Sequence, residues 1–325
     1  MSPMDLDGAV IVITGASSGI GRATALAFAR QHARLVLAAR DLAALEEVVR
    51  ECERHGAQAL ALRADVVDAA ALPAVAQAAI DFGGRIDAWV NNAGTGAVGA
   101  YDETPMQAHE QVVQIDLLGY MRGAHAALPH FKRQGRGVLV NLLSLGSWVP
   151  QPYAAAYSAA KFGLRGFSEA LRGELGRHPG IRVCDVFPSF VDTPGLAHGA
   201  NYSGSRVKPM PPVLDPREVA ATVVSLVRKP RDAVVLGVQA RLGRAAHALV
   251  PGYERFAGRA VEKAMQRATP VPRGDGALFQ PPAGPRTIDG GWRHQDRHWP
   301  GRPSPWAAAV VLGMAALLLA RTGRS

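Results

Sequence analysis

The chain has 325 residues, 48% hydrophobic and 19% charged, which excludes a wholly disordered or collagen-like protein. Its length predicts one large α/β domain with an appendage, or two domains. The formal net charge is +9, but residues 270–325 hold seven Arg and three Asp, so the other 269 residues carry only +5, which argues against a nucleic-acid-binding body.

Cys52 and Cys184 supply neither a disulfide framework nor metal-ligand spacing, and fit a reducing, cytoplasmic compartment. Pro3, Asp5 and Asp7, with no basic stretch before the first apolar run, do not read as a secretory signal. His109, His125, His130, His294 and His298 are scattered without a Cys or carboxylate cluster, so no metal site is expected.

In chain order, Ala9-Val10-Ile11-Val12-Ile13-Thr14 reads as a fully buried strand. A helix is predicted over 19–31, a strand over 34–39, and a helix ahead of His55 from the spacing of Leu42, Leu45, Val48 and Val49. Leu60 and Leu62 mark a third strand ending near Asp65; a helix through Val75 and Ile80 leads to a fourth over 86–91. Residues 138–143 and 181–187 supply two more strands. From Asp215 the pattern turns helical at Val219, Val223, Leu226 and Val227, followed by a last strand at 233–236. A helix over 241–267, interrupted at Pro251-Gly252, ends the domain predicted over 1–268. Strands separated by helical stretches cannot pair as hairpins; they need right-handed crossovers, hence an α/β doubly wound parallel sheet with helices on both faces.

Composition then breaks, with eight Pro and six Gly between Pro270 and Pro305, so residues 269–305 read as an unpacked linker. Residues 306–320 are fifteen uncharged residues, a helical C-terminal extension of roughly 22 Å against the ~30 Å hydrocarbon core. Trp299 and Trp306 on one side and Arg321 on the other make it a candidate membrane anchor; docking on its own domain or a dimer interface is the alternative.

The first strand runs into Thr14-Gly15-Ala16-Ser17-Ser18-Gly19-Ile20-Gly21. Glycines here let the backbone turn sharply and approach a pyrophosphate, while the following helix aims its N–H groups at the charge. Any tight turn can carry glycines; the placement between strand and helix is what favours a dinucleotide site. Arg40 ends the second strand, where an NAD-selective site would carry an acidic residue; a guanidinium suits the 2′-phosphate of NADP instead. A solvated loop charge, with NAD as cofactor, is the alternative.

Tyr157 and Lys161 lie four apart in a predicted helix and so share one face. A phenol with a pKa near ~10 is a poor proton donor-acceptor at neutral pH, and a nearby ammonium lowers it. Ser144, at the end of a strand, is placed to hydrogen-bond a substrate oxygen.

Together these residues resemble the classical short-chain dehydrogenase/reductase family. The matches are the 14–21 loop, Asp65 and Val66, Asn91 to Gly94, Ser144, Tyr157, Lys161, and the stretch from Pro188 to Thr193, within a resemblance covering roughly residues 5–240. It implies a Rossmann fold and an NAD(P)-dependent oxidoreductase interconverting carbonyl and alcohol. Gly15, Ser17, Ser18, Gly19, Ile20 and Gly21 would hold the dinucleotide, and Asp65 and Val66 would contact the adenine. Asn92, Ala93 and Gly94 would lie beside the cofactor. Tyr157 would be the general acid/base, Lys161 would lower its pKa and hold the nicotinamide ribose, and Ser144 would position the carbonyl. Pro188, Val191 and Thr193 would border the nicotinamide amide. Homodimers or tetramers are implied by the same resemblance.

Two residues depart from the family pattern. Asp116 stands where Asn is usual; its backbone carbonyl could still serve a water leading to Lys161, or its carboxylate could instead pair with Lys161 and alter the tyrosine's pKa. Ser189 replaces the glycine common after Pro188. The loop over 195–212, with Leu196, Tyr202, Val207 and Met210, suggests a lipid-like, steroid-like or aromatic substrate. A membrane-anchored dinucleotide sensor or scaffold without turnover is the alternative function. Nucleic-acid binding would rest only on the tail's Arg residues beside Trp292 and Trp299.

Overall fold

The computed structural model describes residues 3–249, 251–284 and 286–295. β1 (Val10–Thr14) is buried along its whole length, as a β-branched run covered on both faces must be. α1 (Gly19–Ala29), β2 (Arg34–Ala39), α2 (Leu42–Arg54), β3 (Gln58–Arg63), α3 (Ala71–Gly83) and β4 (Ala88–Asn91) continue the alternation. After the two-residue β5 (Ala97–Val98), helix runs on through α4 (Met106–Val113), a π-helical turn at Gln114–Leu118 and α5 (Gly119–Gln134). β6 (Gly137–Leu142), α6 (Ala155–Glu174) and β7 (Ile181–Pro188) follow, then the short α7 (Gly195–His198) and β8 (Ala200–Asn201). α8 (Pro216–Arg228) opens with Pro216 behind Asp215, whose carboxylate accepts the Arg217 N–H, and β9 (Ala233–Leu236) completes the sheet. α9 (Val238–Leu249), α10 (Tyr253–Gln266) and the short α11 (Trp292–Gln295) close the described chain.

The seven-stranded sheet has the order β3-β2-β1-β4-β6-β7-β9, every pairing parallel. β1 lies between β2 and β4, so the strand order reverses there and opens a crevice at their carboxyl ends, where open α/β sheets bind ligands. Alternation along β1 divides the core: Val10 and Val12 pack with Leu72, Val75 and Phe131, while Ile11 and Ile13 pack with Phe28, Val48 and Val223. The expected strands and their crossovers are all present. The two-residue pairing of β5 with β8 was not expected, being too short for any alternation to register.

A buried polar chain ties the sheet to the helices that carry the site. The Trp89 indole donates to Asn91 Oδ1 (2.8 Å), Asn91 Nδ2 to Asn141 Oδ1 (2.9 Å), and Asn141 Nδ2 to Ser168 Oγ on α6 (3.0 Å). Asn91 Nδ2 also reaches the Tyr120 carbonyl on α5. Such a satisfied network fixes relative position at little cost.

The Pro/Gly-rich segment corrects the sequence reading. Instead of an unpacked linker, residues 270–284 and 286–293 form a strap that recrosses the carboxyl edge of the sheet. Gly274 and Pro270 make antiparallel bridges to Asn201 and Ser205, the Tyr202 hydroxyl donates to Asp275 (2.5 Å), and the Ala277 N–H to the His198 carbonyl (2.7 Å). Leu278 is fully buried, and further on the Gly19 N–H donates to the Thr287 carbonyl (3.0 Å). The strap needs no core of its own because main-chain bonds and a few anchors hold it to the domain's core. The remainder of the predicted linker, 296–305, and the apolar segment 306–320 lie outside the described residues. Among the described residues no helix is long and apolar enough to cross a membrane, and no cluster of three metal-ligating side chains occurs.

Candidate active site

The turn leaving β1 is built on steric necessity. Gly15 adopts φ +65°, and a Cβ there would stand 2.7 Å from Ala93 Cα. A Cβ on Gly21 would stand 2.2 Å from the Gly15 carbonyl oxygen and 2.6 Å from Asn92 Nδ2. Asn92 clamps the turn by donating to the Thr14 and Gly15 carbonyls (3.0 and 3.1 Å), while Thr14 Oγ1 accepts the Asn92 and Ala93 N–H groups.

Above this turn lies a cavity of about 260 Å³ bordered by Gly15, Ser17, Ser18, Gly19, Ile20, Arg40, Asp65, Val66, Asn92, Ala93 and Gly94. Gly21 is not on its wall; its role is to let α1 pack under the turn. Ala277, Pro281, Pro282 and Arg286 of the strap complete the enclosure. Arg40 does not point free into solvent: its guanidinium donates to the Ala277 and Leu278 carbonyls (2.6 and 3.2 Å). Burial pulls its pKa down, Asp65 opposing and Arg286 adding to the fall. Arg286 itself grips Asp41, with Nη2 2.6 Å from Oδ2.

A second cavity, about 740 Å³, adjoins the first and shares Ile20, Asn92, Gly94, Thr193 and Gly195 with it. Ser144, Tyr157, Lys161, Pro188, Val191 and Thr193 all line it. Tyr157 and Lys161 come from the first two turns of α6 and Ser144 from the end of β6, so the three expected at one site do meet. Ser144 Oγ accepts the Gly146 N–H (3.1 Å), and its hydroxyl opposes the rise in the Tyr157 pKa. Much of the remaining wall is apolar: Phe190, Leu196 and Val207, with Val271, Pro272 and Trp292 of the strap. Of the loop residues expected there, Met210 instead faces solvent and Tyr202 is buried against Asp275. Ser189 is accommodated because Gly237, at φ +90°, leaves room where a Cβ would stand 2.1 Å from its Oγ.

Behind the phenol, Lys161 Nζ lies 2.9 Å from Asp116 Oδ1, both side chains buried. The π-helical turn projects Asp116 inward, Asp116 Oδ2 accepts the Thr95 N–H (3.1 Å), and Gly94 leaves the space its carboxylate occupies. Lys161 also donates to the Leu142 carbonyl (3.3 Å) and the Tyr120 hydroxyl (3.5 Å), and its ammonium is 5.7 Å from the Tyr157 ring centre. Burial would pull the lysine down, but Asp116 beside it drives it well above its ordinary value. The Asp116 carboxyl is pushed up by burial, with Lys161 opposing. Tyr157 corrects an expectation: burial raises its pKa, Lys161 and Ser144 pull against that, and Asp116 adds to the rise. The carboxylate opposes the ammonium's larger effect on the phenol. Tyr120, which no sequence spacing singled out, is held at the back of the cavity with its own pKa pushed up to about 12 by burial.

Residues 9–201 match the family model for short chain dehydrogenases. The oxidoreductase YxnA of Bacillus subtilis is 31% identical over 328 residues, covering 97% of this chain and 91% of that protein, so the match takes in the strap. The 3beta-hydroxysteroid dehydrogenase 1 of Eggerthella lenta is 34% identical over 229 residues, covering 68% and 87% respectively. Among solved structures, the alcohol dehydrogenase of Thermococcus sibiricus, complexed with 5-hydroxy-NADP, superposes with a TM-score of 0.61 at 30% identity, covering 70% of this chain and 95% of that one. A doubly wound sheet with a glycine turn at its switch point defines a dinucleotide-binding protein. The chain belongs to the short-chain dehydrogenase/reductase family and is an NAD(P)-dependent oxidoreductase.

Proposed function

We propose that this enzyme interconverts a carbonyl and an alcohol on an apolar substrate with NADP(H) as cofactor, and that Tyr157 is its general acid/base. One observation carries the reading: Ser144, Tyr157 and Lys161 stand together on the wall of a largely apolar cavity that adjoins the glycine-turn cavity. The residues fit a dinucleotide. Gly15 and Gly21 leave no room for a side chain, and the first turn of α1 offers a pyrophosphate N–H groups without a helical acceptor, apart from that of Gly19, which the Thr287 carbonyl takes. Asp65 and Val66 would border the adenine, Asn92, Ala93 and Gly94 the middle of the cofactor, and Pro188, Val191 and Thr193 its nicotinamide end. Arg40, at the end of β2, would take the 2′-phosphate with the donors its two carbonyl bonds leave over.

The bound cofactor supplies or accepts the hydride. In carbonyl reduction, Ser144 hydrogen-bonds the substrate oxygen and Tyr157 gives that oxygen its proton as the carbon gains the hydride, leaving a phenolate. Lys161 stabilises that phenolate across the cavity floor, and Asp116 keeps the lysine charged. Alcohol oxidation is the reverse and needs the phenolate at the outset. At neutral pH the phenol is in its acid form, the state that carbonyl reduction requires.

The test is consumption of NADPH and of NADH by purified protein over a panel of ketones and aldehydes. The reading expects turnover of apolar carbonyl compounds, faster with NADPH at limiting cofactor. Tight dinucleotide binding with no turnover across the panel would favour a binding protein instead, and a preference for NADH would remove the role given to Arg40.

A further inference from the structure

The strap contributes to the walls of both cavities, and at one point it does so through a large side chain held at both ends. We infer that Trp292 is a specificity-determining residue that limits the size of the substrate, and that Asp192 is the positioning residue that seats it. This rests on the oxidoreductase reading above.

Trp292 shares the second cavity with Ser144 and Tyr157. Its backbone N–H donates to Asp192 Oδ1 (2.7 Å) and its indole Nε1–H to the Thr193 carbonyl (3.2 Å), so both ends of the residue are held. Asp192 is fully buried and spends its carboxylate on the strap: besides Trp292 it accepts the Gly290 N–H (3.1 Å), the Arg293 N–H (3.3 Å) and Arg293 Nε (3.0 Å). Arg293 is in turn paired with Asp215 and Asp289, and Asp289 with Arg217 at 2.8 Å. The seat is also close-packed, since a Cβ on Gly290 would stand 2.3 Å from the Thr193 carbonyl oxygen. A buried carboxylate collecting four donors from one short segment is an expensive arrangement unless that segment must hold one position. What the segment presents to the cavity is the indole. A substrate large enough to fill this cavity while its carbonyl reaches Tyr157 meets the indole.

The experiment compares full-length wild type, Trp292→Ala, Trp292→Phe and Asp192→Asn on a graded ketone series, from small acyclic to multi-ring. kcat/KM is measured with NADPH, and Kd for each ketone is measured by calorimetry on NADP+-saturated protein. Trp292→Ala is expected to weaken the smallest ketones and spare or improve the bulkiest. The bulky-to-small selectivity ratio should rise about 10-fold or more, the range a hydrophobic pocket wall typically controls. Trp292→Phe should fall between. Asp192→Asn should move the ratio in the same direction, with the effect on KM rather than kcat, and dinucleotide affinity should stay within about twofold in the Trp292 variants. An equal fold-loss at every size, no change, or no binding of any ketone would overturn the inference. Size-dependent binding that shifts as expected without any turnover would support it while removing the catalytic reading.

Discussion

The Asp116 carboxylate lies 2.9 Å from the Lys161 ammonium, inside the protein and directly behind the phenol that faces the cavity. The pair converts Lys161 from a free positive charge near Tyr157 into half of an ion pair. The phenol then feels burial more than it feels the lysine.

Removing that carboxylate's charge should expose the lysine to the phenol. With Asp116→Asn, the smaller of the two contributions that raise the Tyr157 pKa is lost while burial remains, so the pH at which alcohol oxidation gains its base moves downward. The wild-type enzyme should show oxidation rising through the alkaline range, and the variant the same rise at lower pH. Steady-state pH profiles of kcat/KM in the oxidative direction check this; an unmoved limb would show that Asp116 does not act on the phenol.

Arg40 carries the cofactor preference in this account. Arg40→Ala should lower the ratio of NADP+ to NAD+ affinity by roughly tenfold or more, the weight of a lost charge-assisted contact to phosphate. Affinity for NAD+ should fall less, through the two strap carbonyls that Arg40 also holds. Equilibrium titration of both cofactors against both proteins reads the ratio.

Leu278 reports whether the strap is part of the folded unit. It is fully buried among core residues, so Leu278→Ala should cost about 2–5 kcal/mol of unfolding free energy, as large-to-small core changes do. The same change on an unpacked tether would cost nothing measurable. Denaturant unfolding, with equal m-values required, decides between them.

The sheet was legible because its strands are short, continuous apolar runs: Val10 to Thr14 and Val138 to Leu142 can only be covered strands in a chain with helical patterns between them. The meeting of Tyr157, Lys161 and Ser144 was legible from one-turn helical spacing plus a strand end. The strap was not, because its order comes from main-chain bonds and from single anchors such as Leu278 and Trp292, and these leave no periodicity in a Pro/Gly-rich sequence. Asp116 was visible as a departure, but its effect on Tyr157 depends on depth, since the same pair in water would barely shift a phenol. Tyr120 and Arg286 were invisible for a simpler reason: each acquires its place only through a partner distant in sequence, the Leu142 carbonyl for one and Asp41 for the other.

The most direct test of the central claim is hydride transfer by Tyr157→Phe under single-turnover conditions, with NADPH binding measured on the same protein. The account expects cofactor affinity close to wild type and a transfer rate lower by about 10²–10⁴-fold, the usual contribution of a positioned general acid. A rate within a few-fold of wild type at unchanged affinity would contradict it, because the proton would then reach the substrate oxygen from some other group.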